Sequence, residues 1–205
     1  MRNSKIILLS IIVLGWTFGC KREVLIPKPH AYPRLDFPKG ENRLVSENYC
    51  PLQFEFPTYG EIKQEQSFFD EKPSDPCWFT ISVPALNAAV YCSYGKINAQ
   101  KGFDQYIDDA FKLVAKHDIK AEYREERKIT NAANQVYGMA FELDGPVATP
   151  YQFYLTDSLH HFFRAALYFN AQVNPDSTRP VLEFMRRDLQ HMQSTFEWKK
   201  DISVR

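Results

Sequence analysis

Residues 149–177 read TPYQFYLTDSLHHFFRAALYFNAQVNPDS, and the fold turns on how this stretch is parsed. Tyr151, Phe153 and Leu155 alternate with polar neighbours, the period of a strand. Thr156-Asp157-Ser158 supplies turn chemistry, because short polar side chains there can bond their own backbone. Beyond the turn, Phe163, Ala165, Leu167 and Phe169 share one face, and Phe162, Arg164, Ala166 and Tyr168 share the other. Both faces are fairly apolar, which predicts a hairpin in the middle of a sheet covered on both sides. Asn174 to Thr178 offers cap oxygens, and Pro180 suits a first helical turn. From there Val181, Leu182, Met185, Leu189, Met192 and Phe196 recur at helical spacing.

Upstream, Phe103, Ile107, Ala110, Phe111 and Val114 make one apolar helical stripe, with Asp104, Gln105, Asp108, Asp109 and Lys112 outside it. Leu52 to Phe56 alternates as a half-buried strand. Residues 60–76 are polar and rich in breakers, so a loop is expected, with Phe68 and Phe69 tucked onto the core. Residues 78–83 and 88–94 are strand-like and separated by Pro84. Residues 120–129 hold few apolar side chains among charges, as an edge strand guarded against sheet extension would. Residues 136–143 alternate with Tyr137, Met139, Phe141 and Leu143 on one side, and 198–205 reads as a short tail. This order predicts an α+β fold, an antiparallel sheet flanked by helices.

The N-terminal end has a different character. Arg2 and Lys5 precede the apolar run 6–14, which is too short to span a bilayer and fits a signal peptide over 1–19. Thr17-Phe18-Gly19-Cys20 looks like a bacterial lipobox in which Phe18 departs from the small residue usual two places before the cysteine, so Cys20 is the expected acylation site. A plain signal peptide and a single-pass anchor are the alternatives. Residues 20–49 carry Pro27, Pro29, Pro33 and Pro38 and predict an extended tether. Tyr32, Leu35 and Phe37 favour docking of residues 27–38 onto a surface. Residues 50–205 form the expected single domain. Lys21-Arg22-Glu23 gives no acidic cluster after Cys20, which favours a periplasm-facing domain lipid-anchored to the outer or inner membrane.

The 25 basic and 25 acidic residues balance, and removal of 1–19 leaves 23 against 25. A near-neutral chain without a basic run argues against nucleic acid as a partner. Of the four cysteines, Cys20, Cys50, Cys77 and Cys92, none forms a CxxC pair or a zinc spacing. Cys50 and Cys77 each precede a strand-like run and are the favoured disulfide, against the alternative of three reduced thiols.

The densest cluster of reactive side-chain types lies at 156–161, where Ser158, His160 and His161 sit beside Asp157, with Asp188 and His191 on the last helix. A triad lacks the G-x-S-x-G elbow. Adjacent histidines on a strand point to opposite faces, so at most one could join a metal site. Glu122, Glu125 and Glu126 with Arg124 and Arg127 read as a solvated edge. No phosphate-binding glycine loop is present, and no catalytic residue, metal or cofactor is expected. Thr156, Asp157, Ser158, His160 and His161 instead form a candidate partner-facing turn.

The pieces PKPHAYPRLDFP (27–38), CPLQFEFPTY (50–59), the stretch 149–177 and RRDLQHMQSTFEWK (186–199) together resemble the GldD family of gliding-motility lipoproteins of the Bacteroidetes. That resemblance implies a role in gliding motility and the linked type IX secretion machinery, through contacts with other envelope proteins and with the membrane through acylated Cys20. It implies no catalytic residues. By element order alone, the chain is also similar to the PsbP-type α/β/α sandwich. The competing expectation is a ligand-binding or enzymatic domain with a pocket near His160, His161 and Arg164.

Overall fold

The computed structural model describes residues 35–67, 72–170 and 175–199. Cys20, the signal peptide, residues 27–34, Phe68, Phe69 and Asn174 lie outside these. The compact unit Leu35–Arg205 contains every strand, helix and core residue described below.

The strands are β1 (Asn42–Val45), β2 (Leu52–Pro57), β3 (Glu61–Gln64), β4 (Phe79–Val83), β5 (Ala88–Lys96), β6 (Tyr123–Asn131), β7 (Val136–Asp144), β8 (Tyr151–Thr156), β9 (His161–Phe169) and β10 (Glu197–Trp198). The helices are α1 (Phe103–Asp118) and α2 (Pro175–Thr195). Seven strands form an antiparallel sheet in the order β3-β4-β5-β9-β8-β7-β6, and β1-β2-β10 form a smaller one. The α+β architecture is therefore as the alternation predicts. The β8–β9 hairpin sits mid-sheet, running from Tyr151↔Leu167 to Thr156↔Phe162.

Strand alternation sorts the core into two layers. Tyr151, Phe153, Leu155, Phe163, Ala165 and Leu167 point to one face, where Val181, Met185, Leu189 and Met192 of α2 meet them with Phe54 and Phe56 of β2. Phe141, Leu143, Tyr154 and Phe162 point to the other, against Ala110 and Val114 of α1. Phe196 is fully buried, lying 5.2 Å from the Phe163 ring and 6.3 Å from that of Phe54. Burial of one such ring contributes about 2–3 kcal/mol, so these layers supply most of the driving force. Strand β7 passes close to β8 at Gly138, where a Cβ would lie 1.9 Å from the Tyr154 carbonyl oxygen. Cys50 and Cys77 are disulfide-bonded, with Cα atoms 4.7 Å apart, and Cys92 is a buried free thiol.

Edge strand β6 buries Ile129 and leaves its remaining side chains largely in solvent, as its charges predict. Arg124 pairs with Asp118 and lies 3.0 Å from Glu126. Arg127 reaches inward to the Tyr151 hydroxyl and the Gln193 amide oxygen, both at 3.0 Å.

Four expectations need correction. Residues 60–76 are not all loop: β3 pairs with β4 from Glu61↔Ser82 to Gln64↔Phe79 and forms the second edge. Its one apolar residue, Ile62, gave too little periodicity to detect. The tether does not extend to residue 49, because β1 pairs with β2 from Asn42↔Pro57 to Val45↔Phe54. Phe37 also stacks on Phe184 of α2 at 4.7 Å, so domain packing begins by that residue. Helix α2 starts at Pro175, which puts Pro180 inside it and not in its first turn, with its ring exposed. Trp198 is not tail: β10 pairs Glu197 with Gln53 and Trp198 with Leu52.

Candidate functional site

The turn between β8 and β9 is held by one carboxylate. Asp157 Oδ1 accepts the backbone N–H groups of Leu159 at 3.0 Å, and of His160 and His161 at 2.8 Å. Burial alone would push this carboxyl up, but the three N–H donors outweigh it and hold it below the usual carboxylate range. Thr156 Oγ1 donates to the His161 carbonyl at 2.7 Å and accepts the Ser158 N–H at 2.8 Å. Ser158 takes a left-handed conformation with φ 66°. The Asp-Ser-His cluster that suggested chemistry is a self-bonded turn. Its tip presents Leu159, 69% exposed, and the His160 ring, 74% exposed.

The two histidines diverge. His160 Nδ1 lies 3.4 Å from Asp157 Oδ2. The His161 ring turns toward the α2 side of the sheet, with Nδ1 2.7 Å from the Tyr94 hydroxyl, and stacks on Trp198 at 4.9 Å. His191 and Asp188 lie elsewhere. His191 Nε2 is 2.8 Å from Glu55 Oε2, and Asp188 accepts the Tyr59 hydroxyl. Burial raises the Asp188 carboxyl, and burial with that hydrogen bond raises the Tyr59 phenol. No Ser158–His–Asp188 constellation forms, and no group of three or more His, Cys, Asp or Glu among the described residues is placed to hold a metal.

The expected shared pocket of His160, His161 and Arg164 does not form either. His161 and Arg164 are three residues apart on one strand, so their side chains take opposite faces. His160 and His161 line one cleft with Tyr49, Pro76 and Lys199, whereas Arg164 lines a second of about 770 Å³ between α1 and β5. Trp78, Tyr106, Leu113 and Phe162 form its apolar walls. Lys112 and Lys116, one helical turn apart, stand exposed on its α1 side.

Arg164 donates to the Gln152 amide oxygen, and Gln152 in turn donates to Thr149 Oγ1 at 2.7 Å. Burial lowers the Arg164 guanidinium from its ordinary value. Burial, then Arg164 and Lys116, lower the nearby His117 imidazole. Burial pushes the Cys92 thiol well up, so it is inert. Tyr94, Trp198, Gln152 and the two lysines escaped sequence reasoning because they come from distant segments with no motif among them.

Among described residues, no helix is long and apolar enough to cross a membrane. No curated protein matches the chain. The solution structure of cyanobacterial PsbP (CyanoP) from Synechocystis sp. PCC 6803 is similar at 10% identity, with a TM-score of 0.43 over 78% of this chain and 94% of that one. The family model for gliding motility lipoprotein GldD matches residues 22–198, from just past Cys20 to the last paired strand. That span takes in the described residues almost entirely, and the chain belongs to the gliding motility lipoprotein GldD family.

Proposed function

We propose that this protein is anchored to a membrane of the cell envelope by acylation of Cys20, and that its domain faces the periplasm. There it supports gliding motility and the associated type IX secretion machinery through protein contacts. Family membership across residues 22–198 carries this reading. Two features of the structure agree with a scaffold. The side chains of Thr156 and Asp157 are engaged in holding their own turn, and the tip of that turn offers Leu159 and His160 to a partner.

The test compares two variants in motile cells. His191→Ala removes the half-buried imidazole beside Glu55 that a competing reaction site would draw on, and motility is expected to survive it. Leu159→Asp places a charge at the turn tip, and is expected to reduce both motility and cross-linking to envelope proteins with the fold intact. The opposite pattern, His191 essential and the tip indifferent, would overturn the contact reading. Cys20→Ser is expected to release the protein from the membrane fraction, and unchanged fractionation would refute the anchor.

A further inference from the structure

The groove between α1 and β5 is separate from the turn and its proposed contacts. Its floor carries a cation with an unusual environment. Arg164 is partly buried on the central strand β9, and its hydrogen-bond partner is the neutral Gln152 amide. No carboxylate pairs with it among the described residues. The two carboxylates that line the groove are engaged elsewhere: Asp75 accepts the Cys77 N–H at 2.9 Å, and Asp109 pairs with Lys101 at 2.7 Å. Lys101 also lies 4.3 Å over the Tyr106 ring, which fixes it at one wall. Lys112 and Lys116 form no close ion pair among the described residues, although the Lys112 charge also acts on Asp109.

A guanidinium taken partly out of water without a counter-charge is costly, and such a group is retained where something else supplies the charge. The lysines opposite raise the positive potential further, and burial, then Arg164 and Lys116, bias His117 toward its neutral form. Around this cationic floor the walls are aromatic or aliphatic, namely Trp78, Tyr106, Leu113 and Phe162. The volume of about 770 Å³ falls in the range of small-molecule sites.

We propose that this groove binds a small amphiphilic anion, its phosphate or carboxylate on Arg164, Lys112 and Lys116 and its apolar body against Trp78, Tyr106 and Leu113. Arg164 suits the role because its planar fork pairs with two oxygens of an acidic group at once. The proposal goes beyond the motility reading and does not depend on it.

The experiment is calorimetric titration of the unit 35–205 with octyl phosphate, 1-naphthyl phosphate, inorganic phosphate and octanol. At least one organic phosphate is expected to bind at one site per chain, with inorganic phosphate and octanol each at least ten-fold weaker. A preference for octyl phosphate marks a lipid-derived ligand, and a preference for the naphthyl compound marks a flat soluble one. Arg164→Gln is expected to weaken binding about ten- to a hundred-fold, the loss of a charge-assisted contact. Lys112→Gln with Lys116→Gln alters exposed helix positions without touching the core and is expected to weaken it about ten-fold. His160→Ala, in the neighbouring cleft, is expected to leave affinity unchanged. Absence of binding by the unaltered protein, equal binding of octanol, or wild-type affinity in the lysine variant would each overturn the proposal.

Discussion

Reduction of the Cys50–Cys77 bridge tests how the small sheet is fastened to the large one. The bridge closes a loop with a sequence separation of 27, and joins the segment just before β2 to the segment just before β4. Loop-closure entropy for that length gives about 3.5 kcal/mol of stabilisation, exerted through the unfolded chain. In a domain of this size, that corresponds to a fall in Tm of about 7–14 °C. The assay is urea unfolding of the unit 35–205 followed by tryptophan fluorescence, with and without dithiothreitol, beside the variant Cys50→Ala/Cys77→Ala. The variant is expected to lose about 1 kcal/mol more than the reduced protein, because both sulfur atoms are buried and their removal leaves space behind. Thiol titration supplies the control. The folded unreduced protein is expected to show no reactive thiol, since Cys92 is buried, and the unfolded unreduced protein one. Three thiols in the unfolded unreduced protein, or a stability loss below about 1 kcal/mol on reduction, would refute the reasoning.

Asp157→Ala removes the acceptor of three backbone N–H groups and is expected to cost about 2 kcal/mol in chemical denaturation. Because the Asp157 carboxyl is held below its unfolded value, its contribution is present above about pH 4 and lost as pH falls through the folded value. The alanine variant will therefore show a shallower acid limb in a stability–pH profile. His117 is lowered in the fold, so the unfolded chain takes up more protons and stability declines as pH falls below about 6.5. His117→Gln is expected to flatten that part of the same profile. Phe196→Ala opens a cavity between Phe54, Phe163 and Trp198, and is expected to cost about 3–5 kcal/mol on urea unfolding.

The fold was legible where side-chain alternation was strong. Tyr151, Phe153 and Leu155 against Phe163, Ala165 and Leu167 announced a mid-sheet hairpin, and the stripe through Ala110 and Val114 announced α1. Strands of two to four residues escaped notice because their pairing, not their composition, makes them. Glu61–Gln64 and Glu197–Trp198 carry one strongly apolar residue each, and become strands when Ile81 and Leu52 come opposite. The candidate site was legible in part. Asp157 was recognisable as turn chemistry, but its three N–H partners were not. Strand alternation alone separates His161 from Arg164, so a shared pocket was excluded by the spacing itself. The cationic groove was invisible, because Arg164, Lys112 and Trp78 converge from three elements.

Cys50–Cys77 also decides how the domain would respond to traction. A pull arriving from the N-terminal side first meets the stack of Phe37 on Phe184, then the four-residue ladder of β1 on β2. Both are weak and could yield in steps, letting out slack as a shock absorber does. The next point along the chain is a covalent bond that carries the tension across to the root of β4. Strand β2 and its aromatic core are bypassed, and the load passes straight into the seven-stranded sheet at β4.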